Sequence, residues 1–329
     1  MTTSTSRTNA KPALLPGERV VVAGGRGFVG SHIVRALLAL GCEPHVLGPR
    51  MDCDLLADVA GRVGFVECGI EEGDAMRAAL RRIAPAAVVS CAAFGGGGEG
   101  LMRAGERDSD PAFLINVDGL RRLIAACREA EVPQLVRTSS TVVYGHPKHY
   151  SPERVDERAP RLPETVYGLT KQLAEEIAEF AVRRDGYPVV GLRLPLVLGP
   201  GLWYRGAAAV LRDMIEGARA GRTHEVTFHD EPIDLMDVGD VARAVLATLR
   251  HAGPLAPVYN INGFTARPRE IAAELARQVP GYQVKFTPQA PQYLFPLVDD
   301  TLFRSDTGFA PRIALRQFIA DTLRTRDIQ

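Results

Sequence analysis

Two groups of residues in this chain have the types and spacing for chemistry at a carbon–oxygen bond. Tyr167 and Lys171 stand four positions apart, so on a helix their phenol and ammonium lie on one face. A neighbouring cation favours the ionised form of a phenol, which lets a tyrosine exchange a proton with an alcohol or carbonyl oxygen near neutral pH. Upstream, the hydroxyl of Ser140 can hold that same oxygen. These residues predict alcohol–carbonyl redox chemistry, with Ser140, Tyr167 and Lys171 as catalytic groups.

A glycine-rich loop near the N-terminus supplies a place for a dinucleotide. Ala23-Gly-Gly-Arg-Gly-Phe-Val-Gly30 follows a short β-branched run and precedes a helical pattern. Glycines allow the tight turn and the close approach of the backbone to a pyrophosphate, which binds at the helix N-terminus. A nicotinamide bound there would exchange the hydride. The residues of this loop that are predicted to contact the cofactor are Gly24, Arg26, Gly27, Phe28, Val29 and Gly30.

The end of the second predicted strand bears on which nicotinamide dinucleotide binds. A carboxylate there would hydrogen-bond the adenosine ribose and repel a 2′-phosphate. The strand instead ends in Val46-Leu-Gly-Pro-Arg50, with Gly48 at that position. The guanidiniums of Arg26 and Arg50 suit a 2′-phosphate. We expect NADP as the cofactor, with NAD as the alternative if Asp52, a few positions further on, holds the ribose.

Short apolar runs and helical patterns alternate along the chain and must position these side chains. Strands are predicted at 19–23, 43–47, 63–67, 86–93, 134–139 and 189–194, and helices at about 28–40, 71–83, 111–131 and 167–184. On the helix of Tyr167, helical spacing predicts a core-facing apolar stripe of Leu169, Leu173, Ile177 and Phe180. Strands that alternate with helices in this way indicate an α/β fold with a doubly wound parallel (Rossmann) sheet.

Beyond Pro195 the alternation becomes irregular, which predicts a smaller C-terminal substrate lobe. We assign residues 18–194 plus 232–263 to the dinucleotide-binding Rossmann domain and residues 195–231 plus 264–329 to the lobe. Residues 1–17 contain Thr, Ser, Pro and Lys and lack the apolar stretch of a secretory signal, so we expect a disordered tail.

Composition restricts the classes of partner and cofactor. Lys plus Arg number 39 and Asp plus Glu number 39, so no basic excess favours nucleic acid or an anionic membrane. No run approaches the ~18 apolar residues of a membrane span. The five cysteines, at 42, 53, 68, 91 and 127, have no Cys-x-x-Cys spacing, which is typical of reduced cytosolic thiols. We expect a cytoplasmic protein without a metal site, since His224 and His229 have no ligand spacing.

The order of these motifs resembles the extended short-chain dehydrogenase/reductase family, also called the NAD-dependent epimerase/dehydratase family, over about residues 18–325. The glycine loop is similar to the family's TGGxGFxG, Ser139–Gly145 to its SSxxVYG and Tyr167–Lys171 to its YGxSK. Four further stretches match in order, HLAA at Ser90–Ala93, NVxGT at Asn116–Gly119, RxxxVxGP at Arg193–Pro200 and LGFxP at Thr307–Pro311.

The resemblance implies a role for each matching residue. Ser140 would polarise the substrate oxygen, Tyr167 would be the acid/base, and Lys171 would bind the ribose and lower the pKa of Tyr167. Asn116 would support a proton-relay water, or else only cap its own helix. Additional cofactor contacts are expected from Ser139, Ile70, Ala92, Ala93, Pro195 and Val197.

Departures from the family pattern narrow the reaction and the substrate. Thr141-Val142 stands where dehydratases place Asp-Glu, so dehydration is not expected. Leu196 and Ile233 replace an Asn and an Arg that usually address a nucleotide diphosphate, and Gly69 replaces an adenine-contacting Asp. We expect a small carbonyl or alcohol substrate without that diphosphate, although three arginines of the lobe could replace the lost contacts, namely Arg205, Arg212 and Arg222. The substrate walls are predicted at Phe94, Leu196, Trp203, Tyr204, Arg205 and Phe228–His229.

The preferred function is an NAD(P)-dependent ketone or aldehyde reductase, and two others stay open. A sugar-nucleotide epimerase would retain tightly bound NAD and reuse one hydride. A non-catalytic NADP-binding sensor would not need Ser140, Tyr167 and Lys171 together. The family resemblance also implies a homodimer, formed by a four-helix contact of Pro111–Glu131 and Glu164–Arg184 with their copies.

Overall fold

The chain forms strands and helices in the predicted alternation, in a computed structural model that describes residues 8–51, 54–95, 97–151, 153–206 and 209–326. Its strands are β1 Arg19–Ala23, β2 Glu43–Leu47, β3 Gly64–Val66, β4 Ala87–Ser90, β5 Leu135–Ser140, β6 Arg154–Val155, β7 Val189–Leu194, β8 Leu196–Leu198, β9 Thr223–Phe228, β10 Ile233–Asp237, β11 Val258–Asn260, β12 Phe264–Ala266, β13 Gln283–Pro288 and β14 Leu297–Val298. Its α-helices are α1 Phe28–Leu40, α2 Gly73–Ile83, α3 Leu101–Arg107, α4 Ser109–Phe113, α5 Leu120–Glu129, α6 Val166–Asp185, α7 Ala209–Glu216, α8 Val238–Arg250, α9 Pro268–Gln278, α10 Thr301–Thr307 and α11 Leu315–Arg326.

The central sheet has seven strands in the order β11-β7-β5-β4-β1-β2-β3, and each neighbouring pair is parallel. From β1 the chain first builds β2 and β3 on one side and then β4, β5 and β7 on the other. This is the predicted doubly wound arrangement. The order reverses between β1 and β4, and ligands of such sheets bind outside the carboxyl ends of the strands at that point.

Both faces of this sheet are buried, which explains the continuous β-branched run in β1. Val20 and Val22 pack in a layer with α1 and α8, whereas Val21 faces a layer with α2, α5 and α6. Each such buried side chain contributes ~1.5–3 kcal/mol relative to an exposed one. The packed sheet is therefore a rigid base, and the motif loops emerge from its carboxyl edge.

The predicted core stripe of α6 is wrong for Leu169 and Phe180, which are 39% and 46% exposed. Leu173 is only partly buried, and Ile177 packs against the core beside the sheet. The inner face instead carries small residues, which let the helix approach the sheet closely, and polar residues of the site: Ala174, Ala178, Ala181, Lys171 and Glu175. Because the polar site residues occupy the inner face, the larger apolar side chains point outward.

The predicted helix at 111–131 is interrupted. It consists of α4, a π-helical segment at Leu114–Gly119 and α5. A π-helical turn inserts an extra residue into the helical repeat and often marks a functional site. Helix α3, in the sequence Leu-Met-Arg-Ala-Gly-Glu-Arg, was not predicted, because its charged residues and glycine leave no clear apolar period.

The C-terminal lobe is built from small sheets together with α7, α9 and α11. Strands β12, β10 and β8 form a three-stranded sheet, and β9 pairs with β13. Their apolar side chains share a core with Met214, Leu275 and Phe318. Strand β11 pairs with β7 in the central sheet, whereas β10 pairs with β8 and β12, and its Leu235 packs into the core of the small sheets.

The structure contradicts a disordered tail for residues 8–17, while residues 1–7 lie outside its described part. Lys11 Nζ donates a hydrogen bond to Gln134 Oε1 at 2.6 Å. The same ammonium donates to the carbonyl oxygens of Thr248 and His251, each at 2.8 Å. A cation at a helix C-terminus satisfies carbonyls that have no partner within the helix. Lys11 thereby fastens this segment to the end of α8.

Candidate active site

Two glycines of the loop stand where any side chain would collide with the backbone. Gly24 has φ +76°, and a Cβ there would lie 2.7 Å from the backbone nitrogen of Ala92. A Cβ on Gly30 would lie 2.3 Å from the carbonyl oxygen of Gly24. Helix α1 begins after Gly27 without a side-chain cap or an acidic residue in its first turn, so its first N–H groups are available to an anion. This cradle fits the pyrophosphate of a dinucleotide.

The other predicted cofactor residues have packing roles that shape this cradle. Ile70 is buried beneath the π-helical segment, 2.6 Å from where a Cβ on Gly119 would lie. Phe28 packs edge-on against Tyr204, with 6.3 Å between ring centroids. Val29 contacts both the sheet core and the lobe core. Ala93 follows the carboxyl end of β4, Pro195 directly follows β7, and Val197 lies on β8.

The two arginines predicted to bind a 2′-phosphate both have carboxylate neighbours. Arg26 stacks on Phe65, 4.2 Å from guanidinium to ring centroid, and lies 3.7 Å from Asp54. Arg50 is 82% exposed and donates to Glu67 at 3.1 Å. The sequence predicts that Arg26 and Arg50 lie at this edge without a neighbouring carboxylate, and that prediction is wrong. Asp54 follows the second strand and Glu67 follows the third, and each lies beside one of the two guanidiniums. Asp52 lies outside the described residues.

Tyr167 is buried beside Ser140. Thr165 caps α6, its Oγ1 accepting a hydrogen bond from the N–H of Gly168 at 3.0 Å, which fixes the first turn around Tyr167. Burial raises the pKa of Tyr167, a nearby Tyr204 raises it further, and a hydrogen bond with Ser140 lowers it. The structure thus brings the two predicted hydroxyls together.

Lys171 follows Tyr167 on the same face of α6, with its Nζ 5.5 Å from the phenol ring centroid. The ammonium donates a hydrogen bond to the carbonyl oxygen of Thr138 at 3.1 Å. Burial lowers the pKa of Lys171 to about 8, and the buried guanidinium of Arg137 lowers it too. Burial keeps the pKa of Tyr167 above its ordinary value, because it outweighs the hydrogen bond with Ser140.

The side chain of Asn116 links the loop after β4 to α6 by two hydrogen bonds. Its Oδ1 accepts a hydrogen bond from the N–H of Phe94 at 2.9 Å, and its Nδ2 donates to Thr170 Oγ1 at 3.0 Å. Thr170 in turn donates to the carbonyl oxygen of Tyr167 at 2.8 Å. Both side-chain groups of Asn116 are used between elements, so it does not cap its own helix. The π-helical segment that contains Asn116 sets this position.

Ser139 does not face the cofactor cradle. Its Oγ donates a hydrogen bond to Glu175 Oε1 at 2.6 Å, and both residues are buried. Alternation along β5 explains the difference, since adjacent side chains of a strand point to opposite faces. Glu175 was missed by the sequence reasoning. Its position eight residues after Tyr167, on the same helix face, was the available signal.

The predicted substrate walls fall in two places. Trp203, Tyr204 and Arg205 follow β8 and approach the loop after β4, where the N–H of Arg205 donates to the carbonyl oxygen of Gly98 at 2.8 Å. Leu196 is half-buried on β8. Phe228–His229 instead line a separate cavity of about 320 Å³ in the lobe, with Arg269, Phe286 and other residues that are not site residues. None of the other residues predicted at the catalytic site lines this cavity, so it does not support Phe228–His229 as a wall of that site.

Among the residues that the structure describes, no helix combines the length and apolar character needed to cross a bilayer. The same residues contain no group of three His, Cys, Asp or Glu side chains placed to hold a metal ion. Cys42, Cys68, Cys91 and Cys127 are free thiols, and Cys53 lies outside the described part.

Comparison with known proteins agrees with this geometry. The model of the NAD dependent epimerase/dehydratase family matches residues 20–262. The chain belongs to this family. It is 29% identical over 318 residues to dTDP-6-deoxy-L-talose 4-dehydrogenase (NAD(P)(+)) of Kitasatospora kifunensis, covering 92% of this chain and 94% of that protein.

Solved structures share the whole fold. The NAD complex of UDP-glucose 4-epimerase from Thermus thermophilus is 27% identical, with a TM-score of 0.76 over 93% of this chain and 99% of the other. The L-threonine dehydrogenase of Clostridium difficile is 16% identical, with a TM-score of 0.82 over 95% and 98%, and shows the fold alone. The predicted family and fold class are thereby confirmed.

Gly30→Ala should disrupt the cradle. Its Cβ would lie 2.3 Å from a backbone oxygen, so α1 must shift away from the loop. Overpacking of this kind costs ~1–3 kcal/mol of stability, and we expect dinucleotide affinity to fall at least about tenfold by fluorescence titration. The matched control is Gly61→Ala, where a Cβ meets nothing within 4 Å. Equal affinity in both variants would contradict the assigned cradle.

Proposed function

We propose that this protein is an NAD(P)-dependent oxidoreductase that interconverts an alcohol and a carbonyl compound, with Tyr167 as the acid/base. The observation that carries the proposal is the contact between the buried Tyr167 and Ser140, with Lys171 on the same helix face. These groups lie at the carboxyl edge of the sheet, next to a glycine cradle that fits a pyrophosphate.

The chain's own residues account for the proton. A bound nicotinamide supplies the hydride to the carbonyl carbon in reduction and accepts it in oxidation. Tyr167 gives its phenolic proton to the carbonyl oxygen, so the products are an alcohol and a phenolate. Ser140 donates a hydrogen bond to that oxygen as negative charge develops on it. The ammonium of Lys171 stabilises the phenolate until solvent returns the proton.

The proposed substrate lacks a nucleotide diphosphate. Leu196 and Ile233 offer no polar group to phosphates, and burying phosphates against them would be costly. The arginines that were alternative contacts have protein partners: Arg205 pairs with Asp213, Arg212 donates to the carbonyl oxygen of Leu202 at 3.0 Å, and Arg222 donates to that of Gly217 at 3.3 Å. The three guanidiniums are thus engaged within the lobe.

The likeness to UDP-glucose 4-epimerase supports a second candidate, an epimerase with tightly bound NAD. An epimerase reuses one hydride and keeps its cofactor through purification, so denatured protein would release about one NAD per chain. Calorimetric titration with UDP- and dTDP-sugars in the presence of cofactor separates the two candidates. Micromolar binding of either sugar would favour the epimerase over the reductase.

A homodimer through α5 and α6 belongs to the proposal. The outward-facing Leu169 and Phe180 of α6 and Leu114 of the π-helical segment give these helices an exposed apolar surface. Burying it against a second copy would remove this area from water. Light scattering at micromolar concentration should give about twice the 35.6 kDa chain mass. A mass near that of one chain would exclude the dimer.

We propose that the enzyme prefers NADP over NAD. Gly48 stands where an NAD-binding carboxylate is expected, and the guanidinium of Arg26 lies at this edge on the ring of Phe65.

A charge-assisted phosphate contact contributes ~1.5–3 kcal/mol. Arg26→Ala should therefore lower kcat/KM for NADPH about 10- to 100-fold and leave that for NADH nearly unchanged. The control is Arg35→Ala, which removes a guanidinium on α1 that pairs with Asp58. Equal kcat/KM values, or a preference for NADH in the unaltered enzyme, would mean that a carboxylate such as Asp54 controls the ribose.

Tyr167→Phe should abolish most of the turnover. General acid–base catalysis contributes ~10²–10⁴-fold, and the phenyl ring keeps the buried packing, so the fold and the dinucleotide affinity should stay nearly the same. The measurement is NADPH oxidation against a panel of ketones, aldehydes, lactones and keto-sugars. A loss below about tenfold on any reduced compound would remove Tyr167 from the acid/base role.

A further inference from the structure

Tyr204 brings a second phenol to the reaction centre. It is close enough to Tyr167 for its charge to act on that phenol. Its ring lies edge-on to Phe28, the first residue of α1, at 6.3 Å, and to Trp203 at 5.7 Å between centroids. Tyr204 therefore lies between the glycine loop and the catalytic tyrosine.

Two loops hold this phenol in place. The N–H of Arg205, the next residue, donates to the carbonyl oxygen of Gly98 at 2.8 Å. A Cβ on Gly100 would lie 2.5 Å from the Cα of Gly206, so the segments after β4 and β8 touch backbone to backbone. The ring of Tyr204 is itself 3.3 Å from the Cβ position of Gly206. These contacts restrict the position of the Tyr204 ring.

The hydroxyl of Tyr204 has no hydrogen-bond partner within the described ranges. Burial raises its pKa, with no compensating hydrogen bond. Three other phenols are bonded within the protein, since Tyr144, Tyr259 and Tyr282 donate to protein oxygens at 3.0, 2.7 and 3.0 Å. Unlike the hydroxyl of Tyr187, which is enclosed without a partner, the hydroxyl of Tyr204 is not fully enclosed by the described residues. It is therefore open to a substrate group beside the reacting oxygen, to which it can donate a hydrogen bond.

The charges around Tyr204 restrict that group to a neutral one. The guanidinium of Arg205 pairs with Asp213, and that of Arg212 donates to the carbonyl oxygens of Leu202 and Tyr204. This wall therefore offers a neutral phenol and two guanidiniums whose charges are countered by Asp213 and Glu216. A carboxylate or phosphate placed here would lose its hydration without a compensating charge.

We propose that Tyr204 binds a second, uncharged oxygen of the substrate, and that the enzyme therefore prefers carbonyl compounds with a neighbouring hydroxyl or carbonyl group over simple ketones. The inference rests on the proposed alcohol–carbonyl function and specifies its substrate class. Tyr204 acts as a binding residue in this account, and the proton still comes from Tyr167.

The test compares 3-hydroxy-2-butanone with 2-butanone, which differ by one hydroxyl. The unaltered enzyme should reduce the hydroxyketone with a kcat/KM at least about fivefold higher, as expected for one neutral hydrogen bond. Tyr204→Phe should bring the two values within about twofold, through a higher KM for the hydroxyketone alone. Tyr282→Phe, which removes a hydroxyl bonded within the lobe core, should preserve the ratio. An unchanged ratio in Tyr204→Phe would overturn the proposal.

Saturation-transfer NMR on the NADP-loaded protein measures binding of the same two compounds without turnover. It separates failure of the binding role from failure of the redox function, since the absence of NADPH oxidation refutes only the latter. Stronger transfer to the hydroxyketone that is lost in Tyr204→Phe would support the role of Tyr204. Equal transfer to both compounds, or none to either, would overturn it.

Discussion

The carboxylate of Glu175 joins three elements from a position with no exposed surface. Ser139 on β5 donates to Oε1 at 2.6 Å, and Arg193 on β7 donates through Nε and Nη2 at 2.9 and 2.7 Å. Arg161, which precedes α6, donates to Oε2 at 3.0 Å. Glu175 lies one helical turn after Lys171 on α6. The same carboxylate therefore sets the distance between α6, which carries Tyr167 and Lys171, and β5, which ends at Ser140.

The charges around Glu175 keep it ionised, and one of them also acts on Lys171. Burial alone would raise the pKa of Glu175, but Arg193 and its hydrogen bonds, with Arg137, lower it to about 2. A buried ion pair adds little net stability against apolar residues, but loss of one partner leaves the other uncompensated. Arg137 is buried with Nε and Nη2 unpartnered among the described residues, and it also lowers the pKa of Lys171. The positive charge of Arg137 therefore lowers the pKa of both Lys171 and Glu175.

Sequence patterns were sufficient where spacing or chain order determines the outcome. The alternation of strands and helices predicted the doubly wound sheet, and four-residue spacing placed Tyr167 and Lys171 on one face. Patterns failed where the partner comes from another element. The outward face of Leu169 follows from the close approach of α6 to the sheet, and the engagement of Ser139 follows from Glu175. The carboxylate beside Arg26, Asp54, lies in a segment whose path was not predictable.

The buried carboxylate of Glu175 holds α6 to β5 and β7, and urea unfolding of Glu175→Gln measures the strength of this link. Removing the charge leaves buried guanidiniums without their carboxylate partner. We therefore expect a loss of ~3–5 kcal/mol in the free energy of unfolding at pH 7. Because the folded-state pKa is lowered to about 2, this carboxylate's stabilisation is present above its ordinary pKa of 4.5 and is lost as pH falls toward 2. The variant should therefore lose stability less steeply than the unaltered protein across that range. Glu176→Gln, at the exposed neighbouring position, is the control. A loss below about 0.5 kcal/mol in Glu175→Gln, equal to that of the control, would contradict the account.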